Sequence, residues 1–183
     1  MFKSAGRTTS STLSILKGIF AMGLLSALLS MVGCDTQRIA ELEEGVATEA
    51  DVKARFGEPE KVWETPPGAP VQGRIFEYNR QPAGYQNYMI TIGPDGKMAA
   101  LRQVLTPQNF AKVTPGMVME DLRKLLGRPM RITPYELKGQ TIYDWRYRDG
   151  PNASDAKVFS AVLDSALRVV STSSAPDPDL GPK

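Results

Sequence analysis

From residue 38 onward the spacing of apolar residues changes from a helical to an extended period twice, in the same order each time. Val52 and Phe56 stand four apart and share one helical face. Thr48, followed three residues later by Asp51, has the form of a capping box, in which two side chains satisfy amide groups that a helix start leaves unpaired. Gly57 ends this helix where a positive φ is tolerated, and Pro59 prevents its continuation. The second passage carries Leu122, Leu125 and Leu126 as its stripe, with Gly127 and Pro129 as the stop. Ahead of each lies another short amphipathic piece, Arg38–Glu43 and Pro107–Val113. Each unit is therefore expected to begin with two helices.

After each proline the period becomes 2. Ile142 to Arg148 alternates aromatic with charged residues, which places Tyr143, Trp145 and Tyr147 on a buried face and Arg146 and Arg148 on a wetter one. Strands are likewise expected over Arg74–Tyr78, through Tyr88, Ile90 and Ile92, and over Lys97–Leu105, the last two joined by the turn Pro94-Asp95-Gly96. Val158–Leu163 and Leu167–Ser171 form a matching hairpin around Asp164-Ser165, while Glu64–Gly73 and Arg148–Asp155 read as loops.

These landmarks define a duplication. Val52 through Pro59 parallels Leu122 through Pro129 at an offset of 70, and Phe76-Glu77-Tyr78 parallels Trp145-Arg146-Tyr147 at an offset of 69. The expected fold class is α+β: two tandem helix-helix-strand-strand-strand units, 38–105 and 106–172, with helices packed on an antiparallel sheet. Residues 173–183, rich in Ser and Pro, are expected to be disordered because they have too little apolar surface to offset ordering.

The first 34 residues have another character. Lys3, Arg7 and Lys17 supply positive charge, and Ile19–Val32 then runs without a charged residue. This mainly apolar run of fourteen residues falls short of the roughly 20 that a spanning helix needs and matches the core of an export signal. The run ends at Ser30-Met31-Val32-Gly33-Cys34, which resembles the bacterial lipobox. That resemblance implies a signal peptide over 1–33, removal of it, acylation of Cys34, and a short linker over 34–37. Two acyl attachments hold a protein at a bilayer without spanning it. Asp35 resembles the signal that retains lipoproteins at the inner membrane of enteric bacteria.

Removing the signal changes the charge picture. The chain has 22 basic and 20 acidic residues; without Lys3, Arg7 and Lys17 the basic count falls to 19, so the mature part is near neutral and nucleic-acid binding is not expected. There is no histidine, which removes the usual general base and metal ligand, and the single cysteine allows no internal disulfide. Glu43-Glu44 and Glu120-Asp121 lie at expected helix starts, where their charge suits the helix dipole. No catalytic residue, cofactor or metal site is expected.

The run Phe110–Met117, followed by Leu122, Leu126-Gly127-Arg128-Pro129 and Trp145-Arg146-Tyr147-Arg148, resembles the SmpA/OmlA (BamE-like) lipoprotein family over 107–172, with a weaker copy over 38–105. This chain has Val118 where the family commonly places a helix-capping Thr, and two units where members commonly carry one. The resemblance implies a lipid-anchored accessory at the periplasmic face of the outer membrane, binding a subunit of the β-barrel assembly machinery, with peptidoglycan or phospholipid as nearby partners. It also implies a contact surface made of Gly116, Met117, Tyr143, Trp145, Arg146 and Tyr147. On the residues alone, Tyr143, Trp145 and Tyr147 read first as core. The tandem arrangement is also reminiscent of β-lactamase-inhibitor proteins, which implies an alternative role as inhibitor or sensor of an envelope enzyme through a concave face of the two sheets.

Overall fold

Helix α1 (Glu49–Phe56) forms where the capping box was read: Asp51 N donates to Thr48 Oγ1 at 3.3 Å and Thr48 N to Asp51 Oδ2 at 2.8 Å. Its C-terminal Gly57 has φ 85° and ψ −169°, a conformation almost confined to glycine. The computed structural model describes residues 39–150 and 156–180. By its contacts the chain divides into Met1–Glu41 and Leu42–Lys183, and from Leu42 onward both repeats fall in the second of these compact units. Cys34 and the lipobox lie outside the described residues, as do residues 151–155 of the loop expected over Arg148–Asp155.

The expected α+β architecture is observed, with one more strand in each unit than the periodicity predicts. The first sheet is β1 (Lys61–Glu64), β2 (Arg74–Asn79), β3 (Asn87–Ile92) and β4 (Met98–Gln103), in that order and all antiparallel. The second repeats it as β5 (Arg131–Tyr135), β6 (Gln140–Arg148), β7 (Ala156–Leu163) and β8 (Val169–Pro176). β1 and β5 escaped the sequence reading because each is a short edge strand. β5 is exposed at every residue and contains Pro134, which only an edge tolerates.

Three further expectations are corrected. Of the stretch Arg38–Glu43, expected to be a helix, Arg38 lies outside the described residues, Ala40 and Glu41 are in a turn, and from Leu42 to Ala47 the chain runs in irregular segments and turns. Its counterpart is shorter than expected: α2 (Pro107–Phe110) is one turn, capped by Thr106. The tail is ordered as far as Leu180. β8 continues through Ser173–Pro176, and Asp177 is buried in an ion pair with Arg146. Backbone pairing to β7 and this ion pair supply what the tail's composition lacks.

The ladders also correct the repeat. Phe76 pairs with Ile90 and Tyr143 with Ala161; Tyr78 pairs with Tyr88 and Trp145 with Phe159. Each sheet then has a bulge one pair before its hairpin turn, between Thr91 and Ile92 and between Val162 and Leu163. Structurally, therefore, Phe76-Glu77-Tyr78 corresponds to Tyr143-Asp144-Trp145 at an offset of 67, two residues from the sequence match. A slip of two leaves every side chain on the same face, so the aromatic pattern alone could not detect it.

Two cores result. Val52 and Phe56 of α1 pack on Phe76, Tyr78, Tyr88 and Ile90, with the Phe56 ring 5.0 Å from Tyr78 and 5.4 Å from Tyr88. Leu122 and Leu126 of α3 (Met119–Leu126) join Phe110, Tyr143, Trp145, Tyr147, Phe159 and Leu163, where Phe110 stacks on Phe159 at 4.3 Å. Each large apolar side chain buried this way contributes roughly 1.5–3 kcal/mol. The opposite face of the first sheet carries Trp63, Glu77, Asn79 and Asn87, and α3 lies against it: Asn87 Nδ2 donates to the carbonyls of Leu126 at 2.9 Å and Arg128 at 3.0 Å. The layers are α1, first sheet, α3, second sheet.

Candidate docking cleft

The expected contact residues do not lie together on the surface. Tyr143, Trp145 and Tyr147 are 8%, 0% and 3% exposed and belong to the second core, as their own pattern suggested. Trp145 Nε1 donates to the carbonyl of Gly127 at 3.0 Å, so its polar tip is spent on the end of α3. Arg146, read as a solvated side chain, is instead largely covered: it pairs with Asp177 and, at 2.6 Å, with Asp179. The buried Asp177 recruits it, since an unpaired carboxylate there would carry a large desolvation cost. The backbone of Arg146 is also engaged. β5 stops pairing at Asp144, and beyond it the Gln81 side-chain amide acts as a substitute strand, donating to Arg146 O at 2.7 Å and accepting from Arg146 N at 3.3 Å. Gly116 is exposed, with φ 87°, and its N–H donates to Val169 O at 2.8 Å.

Met117 lies in a different setting. It is half-buried and lines a cleft of about 370 Å³ between the first sheet and the start of α3. The pairing of Trp63 with Ile75 sets these two side by side on β1 and β2, with Glu64 and Pro66 beyond them. From the second repeat come Lys112, Met117, Asp121, Lys124 and Leu125. Helical geometry explains the last three: Leu122 and Leu126 turn into the core, so Asp121, Lys124 and Leu125 face the first sheet. The resulting wall is apolar, rimmed by two cations and two anions.

Trp63 is the most elaborately held side chain in the cleft. Its Nε1 donates to Glu77 Oε2 at 2.9 Å, while Lys61 Nζ lies 3.8 Å and Lys124 Nζ 5.3 Å from the ring centroid. Cations over an indole face are attracted to its quadrupole. Glu77 is fully buried and also accepts from Asn79 Nδ2 at 2.8 Å and Arg123 Nη2 at 3.1 Å. Thus Glu77, from the first sheet, and Arg123, from α3, together fix one wall of the cleft. Lys124 of the rim also pairs with Glu120 at 2.6 Å, and hydrogen bonding by that ammonium holds the Glu120 carboxyl below its ordinary value.

Sequence reading found Met117 but missed Trp63, Ile75 and Leu125. Leu125 was read only as part of the stripe of the second core, against which it does pack, while its other side lines the cleft; Trp63 stands in a strand too short to show alternation. Among the described residues no group of three or more Cys, Asp or Glu could hold a metal ion, and no helix is long and apolar enough to cross a membrane. The arrangement is suited to accept an apolar side chain and to orient the charged residues beside it.

No family model matches the chain, and no curated protein matches it. Among solved structures it is similar to a DUF4309 family protein (YjgB) from Bacillus subtilis, at 21% identity over 75% of this chain and 83% of that one, with a TM-score of 0.27. It is also similar to a "putative beta-lactamase inhibitor protein" from Streptococcus mutans, at 10% identity over 70% and 82%, with a TM-score of 0.30. At these TM-scores neither likeness carries an argument about function.

Proposed function

We propose that this chain is a non-catalytic, lipid-anchored lipoprotein of the bacterial envelope that binds a partner protein by accepting one of its apolar side chains between Trp63, Ile75, Met117 and Leu125. The observation that carries this reading is the cleft itself, an apolar recess with charges of both signs at its mouth. The apolar run ending at Cys34 supports the lipid anchor. The SmpA/OmlA resemblance supports the periplasmic face of the outer membrane as its location and a β-barrel assembly subunit as its partner, while Asp35 favours the inner membrane.

A second reading makes the partner an envelope enzyme that the chain inhibits or senses. In that case too the contact is assigned to the cleft, because α3 already occupies the face of the first sheet that a shared concave surface would need. A photo-crosslinking residue at the exposed Lys112, in cells labelled with palmitate, tests both. An adduct with an assembly subunit supports the first reading, and an adduct with an envelope enzyme selects the second. Absence of any adduct from a lipidated, folded protein overturns the docking role. Separately, Cys34→Ser is expected to leave the precursor uncleaved, and normal maturation of that variant would remove the anchor.

A further inference from the structure

Helix α3 orients both repeats. Its C-terminus meets Asn79 and Asn87 of the first sheet, and its N-terminal half meets Glu64 and Ile75. In its own repeat Met119 N donates to Leu167 O at 2.9 Å, so the same N-terminus lies at the β7–β8 turn. The β5–β6 hairpin tip is at that end as well, since Gln140 begins β6 where Leu163 ends β7. The β1–β2 loop and the β3–β4 turn are at the corresponding end of the first sheet. One end of this compact unit therefore gathers four chain reversals and the starts of both long helices.

That end is unusually apolar. Of eight large hydrophobic side chains exposed among the described residues, six are there: Val46, Val71, Tyr135, Leu137, Leu167 and Val170; Val62 and Ile132 lie along the strands. Leu137, in the turn Glu136–Lys138, is 93% exposed. Pro134 and Tyr135 point to opposite faces of β5, so the hairpin presents apolar surface on both sides and at its tip. A flat protein surface would cover only one side of such a prong. A medium that surrounds it covers all three, and Tyr with Leu beside a lysine is a combination suited to a membrane interface. Lys138 Nζ already lies 5.5 Å from the Tyr135 ring centroid. Lys97, Lys138 and Arg168 are offset by Asp95, Glu136 and Asp164 at the same turns, which makes the attraction apolar rather than electrostatic.

The chain also enters at this end. Gly45 N donates to Met98 O and Glu49 N to Gly96 O, both beside the β3–β4 turn. Gly45 stands eleven positions after Cys34, a reach of about 40 Å at full extension. We infer that this end faces the bilayer, with Tyr135 and Leu137 of the β5–β6 tip seated in the lipid interface. The inference rests on the proposed acylation of Cys34 for its tether.

The test uses the full chain made in an envelope-competent host and placed in phosphatidylcholine vesicles, with an environment-sensitive fluorophore at Leu137→Cys or, as a control at the far end of β8, at Ser174→Cys. Mass spectrometry reports the lipid on Cys34 independently. The expected result is a blue-shifted emission at 137, quenched several-fold more by shallow nitroxide lipids than at 174, and unchanged by added salt. Lipidated protein whose 137 label is as water-exposed as the 174 label overturns the inference and leaves the anchor standing. A missing lipid mass overturns the anchor, and the inference with it. A blue shift that needs no vesicles and grows with protein concentration assigns the prong to a second copy and also overturns the bilayer contact.

Discussion

In the first repeat α1 packs on the outer side of its sheet, with Ala54 and Arg55 open to solvent; in the second, α3 lies between two sheets and has a partner on either side. The same ladder geometry surrounds both. Each helix starts against its sheet's last hairpin, through Thr48 with Lys97 and Val118 with Arg168. Each ends on a glycine whose carbonyl accepts from an aromatic side chain at the equivalent strand position, Tyr78 Oη at 3.0 Å and Trp145 Nε1 at 3.0 Å. The buried acids differ in what they serve. Asp144 pairs at 2.9 Å with Arg131 and accepts from Ser160, both in its own sheet, whereas Glu77 reaches into the other repeat for Arg123. A duplicated unit thus kept its helix-ending glycine and the aromatic donor on it, lost the capping box at the second helix start, and altered the side chains that meet its copy.

The comparison is most sharply broken at Glu77. Glu77→Ala leaves Arg123 with Glu60 alone, at 3.4 Å, and unties Trp63, and is expected to cost about 3 kcal/mol, the lower part of the range for breaking a buried pair because Arg123 is partly exposed and keeps this second partner. Asp144→Ala, whose partner Arg131 is half-exposed, should cost about 1–2 kcal/mol. Urea unfolding midpoints measure both, and equal losses would mean that the two acids play one role. The two helix-ending glycines come next. Both have positive φ and ψ near −169°, but a Cβ at Gly57 meets nothing, whereas one at Gly127 would lie 2.5 Å from Asn79 Oδ1 and 2.9 Å from Asn87 Nδ2. Gly57→Ala should cost about 1–2 kcal/mol from backbone strain and Gly127→Ala at least about 1 kcal/mol more. Equal thermal shifts would argue that the contact between repeats yields freely.

The helix starts offer a smaller effect of opposite sign. Thr48→Ala removes a capping box and should cost about 1 kcal/mol, while Val118→Thr, with Asp121 three residues on, should build one and gain about 0.5 kcal/mol, both read from thermal melts. The smallest effect is confined to alkaline pH. Burial, reinforced by the nearby Glu58 and Glu49 carboxylates, pushes the Tyr78 phenol from 10.0 up to about 12. The fold holds this proton longer than the unfolded chain does, so the associated stability is complete below about pH 10 and is lost between pH 10 and about 12. Tyr78→Phe should flatten that part of the pH–stability curve; an unchanged slope would show that another group governs it.

Much of this architecture was legible in the order of residues. Thr48 with Asp51, the pairs Gly57-Pro59 and Gly127-Pro129, and the alternation through Tyr143, Trp145 and Tyr147 specify helix starts, stops and a buried strand face by local rules, and α1, α3 and β6 followed them. Edge strands β1 and β5 were not legible, because strands of four and five residues exposed along most or all of their length carry little periodic signal. The cleft was legible only at Met117. Its other wall comes from Trp63 and Ile75, more than forty residues away, and no pattern along the chain announces a neighbour at that separation.

Local sequence determined where helices begin and end, which faces of the strands are apolar, and that the unit occurs twice, because capping, φ restriction and period act within a few residues. Only the tertiary structure decided the two-residue slip between the aromatic strands, the ordering of the tail through Arg146 and Asp177, and the placement of α3 against the first sheet. A slip of two preserves the face, and an ion pair or a buried amide gains its value from whatever the fold brings opposite it. Those choices are made by partners distant in sequence, and they are the ones that created the cleft.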